Sequence, residues 1–208
     1  MRGKYIIESF GQKDNNCVAI VLIKAAILHY GMNRIFKKRS LRGHWIITLK
    51  NGDIHAISHK EVNRLSKLNK IHFRRSLNQK DAANLKKIRE CADLCFAIMV
   101  RSVLLNGYDG KEFKESEAIK LLTKEGMNTH HIHHQLGLKR KTVSAHLLTV
   151  KNLQQFRKKR AVLLYSNSHI AVVSRGFFDN YGEAVELNGK IPMLEHTKAR
   201  GWFELAGS

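Results

Sequence analysis

The chain has 208 residues, 43% hydrophobic and 8% aromatic, enough apolar side chain for a buried core. Intrinsic disorder, collagen and a disulfide scaffold are excluded, and the length fits one domain. Lys and Arg number 37 against 17 Asp and Glu, a formal net charge of +20. That charge draws the protein toward anions (nucleic acid, anionic lipid or an acidic protein) without selecting among them.

Tyr5 to Phe10 read as a short strand. Gly11 to Asn16 are loop and helix-start residues, where Asp14, Asn15 or Asn16 can accept the first unpaired N–H groups of a helix. The helix is predicted from about Cys17 to Tyr30, with Gly31 as its stop. It is apolar on nearly every side, so it must be buried. Its apolar stretch, Cys17 to Leu28, is interrupted by Lys24 and is shorter than the ~20 residues that span a bilayer. The N-terminus has no apolar leader core with a cleavage site. The expectation is therefore a soluble chain, cytoplasmic or exported without a cleaved signal peptide, with no membrane span. The cysteines are Cys17, Cys91 and Cys95, an odd count without framework spacing. Cys91 and Cys95, four apart on a predicted helix, read as small core residues.

Residues 34–42 are basic and contain no acid. His44–Leu49 and Ile54–Ile57 read as a hairpin across Lys50-Asn51-Gly52-Asp53. Ser58 and Glu61 have capping-box spacing before a short helix. Helices are predicted at 81–105, 115–125 and Asn128–Leu136, ending near Gly107, Gly126 and Gly137. Ala161–Tyr165, His169–Val173 and Phe177–Asp179 read as strands separated by Ser166-Asn167-Ser168 and Ser174-Arg175-Gly176. Together these predict a single α+β domain over 1–208. Its helical lobe spans about 11–150, and its β lobe spans about 161–205 with strands from 44–57.

A thiol in the first turn of a buried helix stands in the partial positive charge of the helix N-terminus, which favours thiolate. A thiolate nucleophile needs an imidazole to shuttle its proton and a group to orient the imidazole. His169 opens one predicted strand and Asp179 lies on the next. A three-residue loop at Ser174-Arg175-Gly176 sets Ala171 opposite Asp179 and puts Asp179 on the face of His169; a two-residue loop puts them on opposite faces.

The order of Cys, then His after a turn, then Asp on the following strand resembles the papain-like cysteine peptidases. The residues that carry the resemblance are GQKDNNCVAI at 11–20 and AVLLYSNSHIAVVSRGFFDNYG at 161–182. The segment LGLKRKTV is similar to the approach to that strand in bacteriocin-processing-type members. The resemblance implies a papain-like fold, a helical lobe with a buried Cys helix packed on an antiparallel β lobe. It implies Cys17 as nucleophile, His169 as general base and acid, and Asp179 as the orienting residue, with Asn180 as the alternative. It implies an oxyanion-hole side chain from Gln12, one residue nearer the cysteine than the commonest pattern, with Asn15 or Asn16 as substitutes. The Cys17 N–H would complete the hole. The activity expected is a peptidase or amidase working through a thioester, with no cofactor and no metal. Its expected partners are an acidic or nucleic-acid-associated protein or peptide substrate and an immunity or chaperone protein. A compact, basic hydrolase of this kind suits a bacterial toxin or effector.

A second reading competes. Residues 116–153 resemble a LuxR-type helix-turn-helix, with Ile132, Leu136, Thr142, Val143, His146 and Val150 at that motif's spacing. This implies a DNA-binding regulator using 127–153, with Lys139, Arg140 and Lys141 on phosphates. His130, His131, His133 and His134 read as a polar helix face, because adjacent histidines on one helix diverge and no cysteine lies near.

Overall fold

The computed structural model describes residues 3–12, 17–125, 131–141, 154–165, 170–187 and 201–207; for Gln12, Cys17 and Glu125 it describes the backbone alone. The fold is α+β. Helix α1 (Gly3–Ser9) runs into strand β1 (Phe10–Gln12), and helix α2 (Cys17–Tyr30) follows. Strands β2 (Lys37–Leu41), β3 (His44–Thr48) and β4 (Ile54–Ser58) lead to α3 (His59–Ser66) and β5 (Ile71–Phe73). The long helix α4 (Gln79–Asn106) precedes α5 (Glu115–Lys120), which widens into a π turn at Leu121–Glu125. After a 3-10 turn at Ile132–Leu136 come β6 (Arg140–Lys141), β7 (Val162–Tyr165), β8 (Ile170–Ser174), β9 (Phe177–Asn180), β10 (Glu183–Glu186) and β11 (Gly201–Leu205).

Helix α2 begins and ends where the sequence predicts. It is apolar all round because it lies across β7 and β8 with α1 and α4 against its other sides. The six-stranded sheet has the order β10-β9-β8-β7-β11-β6 and is antiparallel throughout. Alternation divides its apolar residues between two cores. Leu163, Ile170, Val172, Phe203 and Leu205 pack in the α2 core. Val162, Leu164, Ala171, Val173 and Phe178 pack on the far side with Phe156 and Leu187. Covering on both faces explains why 161–165 and 170–173 read as unbroken apolar runs.

Three local readings are corrected. Tyr5 to Ser9 belong to helix α1, and only Phe10 starts a strand. Ile6, Ile7 and Phe10 are buried, a spacing that fits one helical face as well as it fits a strand, and packing on α2 decides. The strands from 44–57 do not join the β lobe: β3 and β4 form a separate three-stranded sheet with β2. Every residue of β2 is exposed, so no apolar alternation announced it. The helix predicted over Asn128–Leu136 is, within the described residues, only the five-residue 3-10 turn. Two helices carry side-chain caps. Ser58 Oγ accepts the Glu61 N–H at 3.0 Å at the head of α3. Asn78 Oδ1 accepts from Asp81 N–H at 2.9 Å at the head of α4.

Candidate site at the α2–sheet junction

Cys17 is the first residue of α2. Ile20, Val21 and Lys24 follow it at three, four and seven residues, so they continue its stripe along the helix. These three residues line one small pocket with Ile170, Asp179, Tyr181 and Gly182. Ile170 opens β8 and directly follows His169 in the sequence.

Strand β1, ahead of α2 in the chain, makes a close backbone contact. A Cβ placed on Gly11 would lie 2.5 Å from the Tyr181 carbonyl oxygen, and one on Gly182 would lie 3.0 Å from the Gly11 Cα. Strand β1 therefore presses on the turn after β9 without room for a side chain. Gly182, at φ +103°, also suits the left-handed half of that turn. Its N–H donates to Asp179 Oδ1 at 2.8 Å, so the same turn touches β1 and holds the Asp179 carboxylate.

Asp179 is held from α2 as well. Lys24 Nζ donates to its Oδ2 at 2.7 Å, and the two side chains are 1% and 4% exposed. Burial pushes the Lys24 ammonium below its ordinary pKa, and the Asp179 charge opposes that shift. The Phe10 ring lies with its centroid 5.3 Å from Nζ, which adds a cation–π contact. Sequence reasoning gave Lys24 no role. Its signal was present: one cation inside an otherwise apolar helix must find a counter-charge.

The loop between β8 and β9 has two residues, not three. Ser174 pairs with Phe177 and Val173 with Phe178, with Arg175 at φ +49° and Gly176 at φ +86° between them. These are the signs of a type I′ hairpin. The register shift sets Asp179 opposite Val172 instead of Ala171. Asp179 consequently shares the sheet face of Ile170 and Val172, the face covered by α2; the three-residue loop expected to put it on the face of His169 is not the one that forms. Ala171 and Phe178 face the other core.

Of the predicted site residues, Asp179 meets α2 at Lys24, seven residues beyond Cys17. Gln12 ends β1, paired with Ile71. His169, Asn15 and Asn16, and the side chains of Gln12 and Cys17, lie outside the described residues.

The other sequence candidates separate from this junction. Arg140 and Lys141 form a strand paired with Leu205 and Glu204, where the helix-turn-helix reading places a turn before a recognition helix; residues 142–153 lie outside the described residues. His133 is buried, not part of a polar face. Burial, and then its neighbours His134, Arg140 and His131, push its pKa down to about 4. Cys95 is buried and Cys91 half-buried. Among the described residues, no group of His, Cys, Asp or Glu could hold a metal ion, and no helix is long and apolar enough to cross a membrane. No family model, curated protein or solved structure matches the chain.

Proposed function

We propose that the protein is a cysteine-dependent hydrolase, a peptidase or amidase of papain-like design, with Cys17 as nucleophile, His169 as base and acid, and Asp179 as the orienting carboxylate. One observation carries the reading. Ile20, Val21 and Lys24 of the helix that Cys17 begins line a single small pocket with Ile170 and Asp179. The Cys17 thiolate, favoured by the α2 N-terminus, attacks an amide carbonyl and forms a tetrahedral intermediate. His169 gives the proton to the leaving amine, a thioester remains, and water attacks it as His169 takes a proton back. The Cys17 N–H and Gln12 are the proposed oxyanion donors. Asp179 faces α2 and is already held by Lys24 and Gly182. Its carboxylate oxygens have further lone pairs for an imidazole N–H, and its pairing with His169 rests on the family resemblance, because the two-residue loop removes the shared strand face. The basic surface favours an acidic or nucleic-acid-associated substrate, in keeping with a toxin or effector role.

The test is selective alkylation. Iodoacetamide at mildly acidic pH should label Cys17 rapidly, and His169→Ala should slow labelling by a factor of ten or more. Cys17→Ala should abolish both labelling and any toxicity on expression. Slow labelling of Cys17 that ignores His169, or toxicity that survives Cys17→Ala, rejects the proposal. Comparing Asp179→Asn with Asn180→Ala assigns the orienting group, because only the true one should shift the pH profile of labelling.

A further inference from the structure

At the other end of α2, about 20 Å from Cys17 at 1.5 Å per residue, lies a cavity of about 420 Å³. That volume is within the range of small-molecule sites. Its walls come from the last turn of α2, the first turn of α1 and the tip of the β8–β9 hairpin, and three arginines line it: Arg34, Arg160 and Arg175. No carboxylate is among its lining residues.

The fold sets the arginines there. Arg34 Nε donates to the Tyr30 carbonyl at 3.0 Å, and Arg160 Nη1 to the His29 carbonyl at 3.5 Å. The Arg175 N–H bonds the Lys159 carbonyl at 2.9 Å, and Ser174 Oγ bonds the Arg160 carbonyl at 2.5 Å. The hairpin tip and residues 159–160 are thus clamped side by side. Capping the end of a helix explains part of this arrangement. A helix C-terminus carries only about half a negative charge, whereas three guanidinium groups gather here. Lys50 Nζ adds a fourth cation, 4.4 Å from the Tyr30 ring centroid. Glu204, whose field reaches His29, is engaged by Lys159 at 3.1 Å. A surplus of positive charge remains around the cavity.

Arg175 occupies the first position of a two-residue hairpin at φ +49°, where Asn, Asp or Gly is favoured and a longer side chain is strained. Arg42 and Tyr181 hold the same position in their own X-Gly turns, so the turn places the Arg175 side chain at the cavity, and the charge of the cavity carries the inference.

We infer that this cavity binds a small phosphorylated ligand, its phosphates held by Arg34, Arg160 and Arg175 and its apolar part lying against Ile6, Ile27 and Met32. Arginine forks match phosphate oxygens in pairs, and three of them exceed what one carboxylate can use. The inference is independent of the proposed hydrolase.

The test is calorimetric titration of the full chain with ATP and with inorganic tripolyphosphate. Co-sedimentation with phosphatidylcholine vesicles, with and without phosphatidylinositol bisphosphate, runs beside it. Arg34→Ala, Arg160→Ala and Arg175→Asn should each weaken binding tenfold or more, and binding should fall as salt rises. Lys111→Ala, which removes an exposed charge elsewhere, should not weaken it. Arg175→Asn should also raise Tm while it weakens binding, so a failure to fold cannot imitate the result. Binding of the soluble compounds makes a free phosphorylated molecule the ligand; sedimentation with the phosphoinositide alone makes it a lipid headgroup. Binding that survives all three substitutions, falls equally in Lys111→Ala, or occurs with a short DNA duplex but with none of the phosphate probes, overturns the inference.

Discussion

Midway along α2, Lys24 and Asp179 face each other at 2.7 Å with almost nothing of either side chain exposed. At the C-terminal end of the same helix, Arg34, Arg160 and Arg175 stand exposed around an open cavity. The difference follows from solvent. A charge withdrawn from water must be matched inside the protein, or the group gives up its charge or destabilises the fold. Exposed cations are solvated and need no partner, so a surplus can persist and remain available to a ligand. Charge in the middle of α2 is a structural commitment, whereas charge at its end is a capacity.

The strongest way to break that comparison is to strand one member of the buried pair. Lys24→Met leaves Asp179 uncompensated and should cost about 3–5 kcal/mol of stability, read by urea denaturation. The double variant Lys24→Met, Asp179→Leu should recover most of the loss, because a packed apolar pair replaces a buried ion pair at little cost. A loss below ~1 kcal/mol for the single variant would mean that water reaches the pair, and the contrast with the arginine end would fail.

A smaller effect is expected where the site depends on a close approach instead of on charge. Gly11→Ala places a methyl group 2.5 Å from the Tyr181 carbonyl oxygen, and backbone atoms cannot rotate away. We expect a cost of about 1–3 kcal/mol, the usual range for overpacking, measured by thermal denaturation. The turn that holds Asp179 should move with it, so Cys17 alkylation should slow as well. Unchanged stability would show that β1 separates from the turn without penalty.

The same particulars show what the sequence could reveal. Helix α2 was legible because an all-apolar run bounded by polar caps and Gly31 has one physical solution, burial. Strands β7 to β9 were legible because their apolar runs are short and punctuated. The register of β8 and β9 was not. The segment Ser174-Arg175-Gly176 fits a two-residue or a three-residue loop, and Arg is an unfavourable residue for the I′ turn that forms. One residue of ambiguity was enough to move Asp179 from Ala171 to Val172. Strand β2 was hidden because an exposed edge strand carries no hydrophobic pattern. Lys24 was seen as an interruption of an apolar stretch, and its partner 155 residues away could come only from the fold.

The finest version of the comparison lies on α4, where two carboxylates meet opposite fates. Asp81 accepts from both terminal nitrogens of Arg74 at 2.7 Å, from the Tyr5 hydroxyl at 2.6 Å and from the Leu77 N–H at 2.8 Å. The Arg74 hydrogen bonds, followed by that from Tyr5, hold it well below the usual carboxylate range. Its stabilising contribution is therefore complete above the unfolded pKa, near 4, and is lost as pH falls. Asp93 is half-buried with one donor, Asn69 Nδ2 at 2.7 Å. Burial outweighs that bond and pushes its pKa up to about 6. Between about pH 4 and pH 6 the folded chain holds a proton that the unfolded chain has released, so stability falls as pH rises through that window. Asp93→Asn should remove this slope and stabilise the protein at pH 7 by about 1 kcal/mol, allowing for solvent screening of a half-exposed group. Stability measured from pH 4.5 to pH 7 in the two proteins would show it. Parallel profiles would mean that Asn69 compensates the Asp93 charge fully, and that one good donor suffices where the burial is only partial.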